Sequence, residues 1–100
     1  MSLATLAEVL KEASANGYAV GAFNCNNMEI VQGIIKAAEA EATPVIIQAS
    51  QGAIRYAGLD YITALVQAAA AKTTVPVALH LDHGTDFEQV LRCLRAGFTS

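Results

Sequence analysis

Apolar positions along this chain alternate between two rhythms: stretches at helical spacing, and short unbroken runs of the kind that parallel strands covered on both faces show. From Leu3 to Ala15, Leu3, Leu6, Leu10 and Ala13 share one helical face. Thr5 and Glu8 have the spacing of a capping box, and Asn16-Gly17 supplies the stop. An apolar strand at about Tyr18 to Phe23 follows and ends at Asn24-Cys25-Asn26-Asn27, where Asn26 and Glu29 are spaced as a cap with an acidic third residue. The second helix that opens there predicts an inward stripe of Ile30, Val31, Ile34, Ile35 and Ala38, with Gln32, Lys36, Glu39 and Glu41 facing water. Pro44 ends it. Val45 to Ala49 reads as a strand rich in β-branched residues, running into the loop Ser50-Gln51-Gly52-Ala53. A third helix, roughly Asp60 to Lys72, carries Ile62, Leu65, Val66 and Ala69, and a third strand opens at Val77 after Pro76. Thr85 and Glu88 mark a further cap, Val90, Leu91 and Leu94 follow at helical spacing, and Gly97 marks the stop.

Strand starts near residues 19, 45 and 77 are each separated by the length of a βα unit with its return loop. The pattern predicts an α/β fold, an N-terminal helix followed by three βα units. Right-handed crossovers between parallel strands build either an open doubly wound sheet or a barrel. No GxGxxG follows the first strand, since Gly21 sits inside it and Asn24 to Asn27 fill the turn, which argues against a dinucleotide-binding half. A closed eight-stranded barrel takes about 250 residues. Residues 1–100 therefore read as a single partial domain, the first three βα units of a TIM (β/α)8 barrel, with a next strand expected at Ala96-Gly97-Phe98-Thr99-Ser100. Three strands alone leave two unpaired edges.

Composition narrows the partners. Hydrophobic residues make up 54% of the chain and charged residues only 15%, so much of it expects burial. A net charge of −3, with Lys and Arg scattered singly, offers no basic stripe for nucleic acid or an anionic membrane and leaves a small molecule as the expected partner. Met1 to Leu10 lack a basic segment ahead of an apolar one, and no apolar run approaches the 18 or so residues of a membrane span. Cys25 and Cys93 stand far apart with no CxxC pair, so reduced thiols in the cytoplasm are the expectation.

The chemistry concentrates where the strands end. Val77-Ala78-Leu79-His80-Leu81-Asp82-His83-Gly84 passes abruptly from an apolar run to an acid and two imidazoles, and in α/β folds ligands gather at the carboxyl ends of strands. The three strands should deliver Asn24, then Ser50, then Asp82 with His83 to one face. A carboxyl at the rim of an apolar strand has the partial desolvation that suits a general acid or base. Asp82 instead capping the next helix is the plainer alternative, against which Thr85 is better placed. His83 is a metal-ligand candidate, although a catalytic zinc takes about three protein ligands. His80, two residues before Asp82, is expected on the other face of the pleat as support. Ser50-Gln51-Gly52-Ala53 offers a hydroxyl and backbone N–H groups that suit a phosphate oxygen or form an ordinary loop, and Arg55 lies nearby.

At His80-Leu81-Asp82-His83-Gly84, preceded by Val75-Pro76-Val77-Ala78-Leu79, the chain resembles the class II fructose-bisphosphate aldolases. Gly17-Tyr18-Ala19-Val20-Gly21-Ala22-Phe23-Asn24, Pro44 to Ala53 and Ala96 to Ser100 also look like that family's opening third. The resemblance implies a zinc-dependent TIM barrel, usually a homo-oligomer, that cleaves fructose 1,6-bisphosphate to dihydroxyacetone phosphate and glyceraldehyde 3-phosphate. It implies His83 as a zinc ligand, Asp82 as the acid/base at the C4 hydroxyl, Ser50 as a contact to the glyceraldehyde 3-phosphate portion, and Asn24 as a polar residue on the substrate side. The family's other two histidine ligands and its glycine-rich phosphate loop lie beyond Ser100, so the 100 residues alone are expected to be inactive and to bind zinc weakly.

Two other readings stand beside this one. Tagatose-bisphosphate aldolases share the fold, metal and motif, but a second His commonly follows their Asp-His pair, where Gly84 stands here. A non-catalytic partial-barrel fragment, or a metal-free phosphosugar-binding βα domain, would use the same strands without the chemistry.

Overall fold

Three parallel strands hydrogen-bond in chain order: β1 (Ala22–Asn24), β2 (Val45–Ala49) and β3 (Val77–Leu81). The computed structural model describes residues 3–100; Met1 and Ser2, which open the stretch read for a leader, lie outside it. Around the sheet lie α1 (Leu6–Asn16), α2 (Met28–Ala40), α3 (Gln51–Ala57), α4 (Leu59–Lys72) and α5 (Phe87–Ala96). No helix among the described residues is long and apolar enough to cross a membrane.

Alternation along β2 and β3 decides which side meets the helices. Val45, Ile47 and Ala49, with Val77, Leu79 and Leu81, form the outer face and pack with Val31, Ile35 and Ala38 of α2 and Ile62, Val66 and Ala70 of α4. The other face changes character along its length. Near the amino ends Ile46 and Ala78 are covered by Val9 of α1, with Leu6 and Val20 against them, and Ala4 N donates to Val77 O at 2.8 Å. One step further along, the register aligns Asn24, Gln48 and His80. The strands read as nearly continuous apolar runs because both faces are covered low down, and the polar row sits above that cover.

Leu79 is fully buried in the middle of this packing. Its truncation to alanine is expected to cost about 2–5 kcal/mol, the transfer term plus the cavity left behind, read from the urea midpoint at unchanged slope. A loss under about 1 kcal/mol would place the core elsewhere.

The α1 capping box forms as expected. Thr5 Oγ1 accepts from Glu8 N at 3.1 Å, Glu8 Oε2 accepts from Thr5 N at 3.3 Å, and Gly17 ends the helix at φ 70°. Its buried face is Val9 and Ala13, while the expected Leu10 is turned toward water. The first strand is shorter than expected, Ala22–Asn24, and it is exposed because nothing pairs with its far edge among the described residues. The α2 cap is Asn27, one residue later than expected, with Oδ1 accepting from Ile30 N at 2.9 Å. Val31, Ile35 and Ala38 are the buried stripe and Ile34 packs partly against it, while Ile30, at the stripe's margin about 100° round the helix from Val31, faces outward.

Two differences fall near the strand ends. The Ser50 segment was expected as a loop, but Ser50 caps α3, its Oγ accepting from Ala53 N at 3.2 Å. At the last helix the cap is Asp86 rather than Thr85, with Oδ1 accepting from Gln89 N at 2.8 Å. A carboxylate at this position also meets the positive end of the helix dipole. Cys93 is the buried residue of α5, whereas Phe87, Val90 and Leu94 are exposed. Beyond α5 the chain returns along β3: Ser100 N donates to Leu79 O at 3.0 Å and Leu81 N to Ser100 O at 2.9 Å, the ladder of a parallel neighbour. No strand is assigned at the expected residues 96–100, but Thr99 and Ser100 run beside β3 at the edge where one was expected.

Candidate active site

The carboxyl ends of the three strands bring Asn24, Gln48 and Asp82 into one hydrogen-bonded line. Gln48 Nε2 donates to Asn24 Oδ1 at 3.0 Å and reaches Asp82 Oδ2 at 3.5 Å. A backbone bond closes the same corner, Asp82 N donating to Ala49 O at 3.0 Å. Gln48 was not singled out from the sequence. Its signal was a lone amide inside an otherwise apolar strand, at the alternating position that shares a row with Asn24 and His80.

Asp82 keeps part of its carboxylate toward solvent, with 29% of its side chain accessible, while the His83 side chain is 79% accessible. The imidazole Nε2 lies 3.7 Å from Asp82 Oδ2, so the two groups share one approach from solvent. His83 has φ 76° and Gly84 φ 60°, two successive left-handed residues that turn the chain sharply off β3. For a non-glycine residue that conformation costs about 1–2 kcal/mol, and such positions cluster at functional sites.

His80 does not lie on the far face of the pleat. Residues two apart on a strand point the same way. It stands in the row of Asn24 and Gln48, and its Nδ1 is 2.8 Å from Ser100 Oγ, an anchor that fixes one ring nitrogen. Ser50 stands one loop away from Asp82. Because Ser50 Oγ accepts the Ala53 N–H, its own proton stays available for an incoming oxygen. Arg55 lies on the exposed side of α3.

The two thiols are separate and unbridged. Burial pushes the Cys25 thiol up from its usual 9.0, and burial does the same to Cys93 against a smaller opposing pull from the Arg92 guanidinium. A thiol kept protonated is a poor nucleophile and a poor metal ligand, so both cysteines belong to the core. Among the described residues no group of three His, Cys, Asp or Glu gathers closely enough to enclose a metal ion. What the rim offers is one exposed imidazole beside a carboxylate.

A parallel βα sheet with an apolar floor and a polar, acid-bearing rim at its strand ends fits the opening units of a βα-barrel enzyme. Comparison makes this specific. The family model described as fructose-bisphosphate aldolase class-II matches residues 4–100. The fructose-bisphosphate aldolase of Thermus caldophilus is 53% identical over 98 residues, covering 98% of this chain and 32% of that protein. That of Geobacillus stearothermophilus is 47% identical over 105 residues, covering all of this chain and 36% of that protein. Among solved structures, the YdjI aldolase of Escherichia coli K12 superposes with a TM-score of 0.90 at 32% identity, covering 96% of this chain and 38% of that one. The chain belongs to the class II fructose-bisphosphate aldolase family. It spans about a third of the length of the curated relatives it matches.

Proposed function

We propose that the full-length protein is a class II fructose-bisphosphate aldolase, cleaving fructose 1,6-bisphosphate reversibly to dihydroxyacetone phosphate and glyceraldehyde 3-phosphate. The observation that carries this is the convergence of Asn24, Asp82 and His83 on one rim, tied through the Gln48 amide. The names of the relatives support the substrate.

Within this reading Asp82 is the acid/base. Its carboxylate takes the proton of the substrate's C4 hydroxyl as the C3–C4 bond breaks; the C4 carbon leaves as the aldehyde, and the bonding pair stays on the three-carbon enediolate, which becomes dihydroxyacetone phosphate once a proton reaches C3. In the reverse direction the carboxyl returns that proton to the aldehyde oxygen. Gln48 holds the carboxylate in line by donating to it, and Asn24 takes the other side of the same amide. The free Ser50 proton would contact the glyceraldehyde 3-phosphate portion. Zinc, when bound, supplies a Lewis acid that polarises the ketone. His83 would be one of its ligands, an exposed neutral imidazole on a turned loop being suited to that role. The remaining ligands would come from outside these 100 residues, in a barrel of which residues 1–100 are the first three βα units. The same reading carries a homo-oligomeric assembly in the cytoplasm.

A coupled cleavage assay tests the proposal. The full-length protein is expected to turn over fructose 1,6-bisphosphate, to lose that activity to a chelator and to regain it with zinc, while the 100-residue chain shows none. The tagatose epimer is expected to be the poorer substrate, since Gly84 stands where a second His is common in that branch. Chelator-resistant turnover would sink the zinc assignment, and faster cleavage of the tagatose epimer would reverse the substrate choice.

A further inference from the structure

The imidazole of His83 is mostly exposed, and the nearest charged group, Asp82, is 3.7 Å away. No hydrogen bond holds the ring, so what is fixed is the backbone beneath it, which sets where the Cα–Cβ bond points. That backbone is held in an unusual conformation, left-handed at both His83 and Gly84. Left-handed non-glycine residues persist only where their surroundings over-determine them.

The restraints come from the neighbouring loop. At the front, Asp82 N donates to Ala49 O, the last residue of β2, at 3.0 Å. At the back, Asp86 is committed to α5 as its cap. Between them Thr85 Oγ1 donates to Gln51 Oε1 at 2.6 Å, a bridge across 34 residues to the first residue of α3. This bridge depends on the cap falling on Asp86, because a Thr85 that capped α5 would have its hydroxyl directed at the helix. On the inner side of the turn the chain also runs close: a Cβ at Gly84 would stand 3.2 Å from Val90 Cγ2 and 3.4 Å from Leu81 Cδ2.

We propose that Thr85 and Gln51 form a latch that positions His83, holding it in the left-handed conformation from which it meets the metal. Thr85 and Gln51 are positioning residues, acting on His83 through the backbone between them. The inference rests on the zinc reading of His83 and adds to it a tie between two strand-end loops, one carrying Ser50 and the other His83. Without the latch His83 relaxes toward negative φ, and the imidazole leaves the direction that the other ligands require.

The test uses the full-length protein with Thr85→Val, Thr85→Ser, Gln51→Leu and the Thr85→Val/Gln51→Leu double variant. Zinc affinity is measured by competition with a chelator, and amide hydrogen exchange is followed across residues 82–86 in the metal-free protein. Thr85→Val and Gln51→Leu are each expected to weaken zinc binding about tenfold, the lower range for groups that orient a metal ligand from behind. The double variant should be no weaker than either single one, since both break the same bond. Thr85→Ser, which keeps the hydroxyl, should bind zinc as the parent does, and the melting temperature of the metal-free protein should be unmoved. Exchange across 82–86 should quicken in Thr85→Val and Gln51→Leu alone. Additive losses, or unchanged affinity and exchange in Thr85→Val, would overturn the latch. If Thr85→Val unfolds, Gln51→Leu decides by the same measurements. If the parent binds no zinc, the ligand role of His83 falls, and exchange in the metal-free protein still decides whether Thr85 and Gln51 hold the loop.

Discussion

Replacing Asp82 with alanine in the full-length protein is expected to lower kcat by about two to four orders of magnitude, the range for a general acid/base, while leaving bound zinc in place. Its carboxylate is the acidic group on the rim that the Gln48 amide reaches, and the amides of Gln48 and Asn24 beside it can neither take nor return a proton. The fold should survive, because Asp82 is partly accessible and its structural tie is its backbone N–H to Ala49 O, which alanine retains. Asp82→Asn separates charge from shape, keeping an oxygen for Gln48 while losing the proton acceptor. It should be as inactive as Asp82→Ala. Steady-state kinetics with zinc content per protomer measures both, and turnover within tenfold of the parent would remove Asp82 from the proton-transfer role.

His83→Ala is expected to lose both zinc and activity. The side chain is mostly exposed and supports no packing, so the loss should appear in metal content and not in the stability of the metal-free protein. Alanine at φ 76° keeps the backbone strain of the parent, whereas His83→Gly relieves it. The glycine variant is therefore expected to gain about 1 kcal/mol in the metal-free protein while binding zinc as poorly as the alanine variant. That pair separates ligation from strain. Zinc content unchanged in His83→Ala would mean that the imidazole is not a ligand.

How much of this could be read in advance differs from residue to residue. The Thr5–Glu8 box and the stops at Gly17 and Gly97 were legible because capping is decided within four residues. Asn26 against Asn27, and Thr85 against Asp86, were not. Adjacent residues of similar chemistry compete for one cap, and the direction of the incoming chain chooses between them. Ile30 was misplaced for a different reason: it sits at the margin of its stripe, where periodicity does not say whether a neighbour covers it. The short α3 was missed because seven residues carry too little periodicity to separate a helix from a loop. His80 was assigned to the wrong face although the period of two was available from the sequence.

The sequence by itself determined the order of elements apart from the short α3, the two-sided apolar strands and the placing of polar groups at their carboxyl ends, because burial period and capping are local properties of the chain. Asp82, His83, Ser50 and Asn24 were marked on that basis and on the family's motif. Only the tertiary structure decided that β1, β2 and β3 lie side by side in register, and so that Gln48 bridges Asn24 to Asp82 and Thr85 bridges to Gln51. Those contacts join residues 24 and 34 positions apart, and no local pattern records which distant partner a side chain meets. The left-handed turn at His83 belongs with them: few non-glycine residues adopt positive φ, and the residue type alone does not mark which ones do.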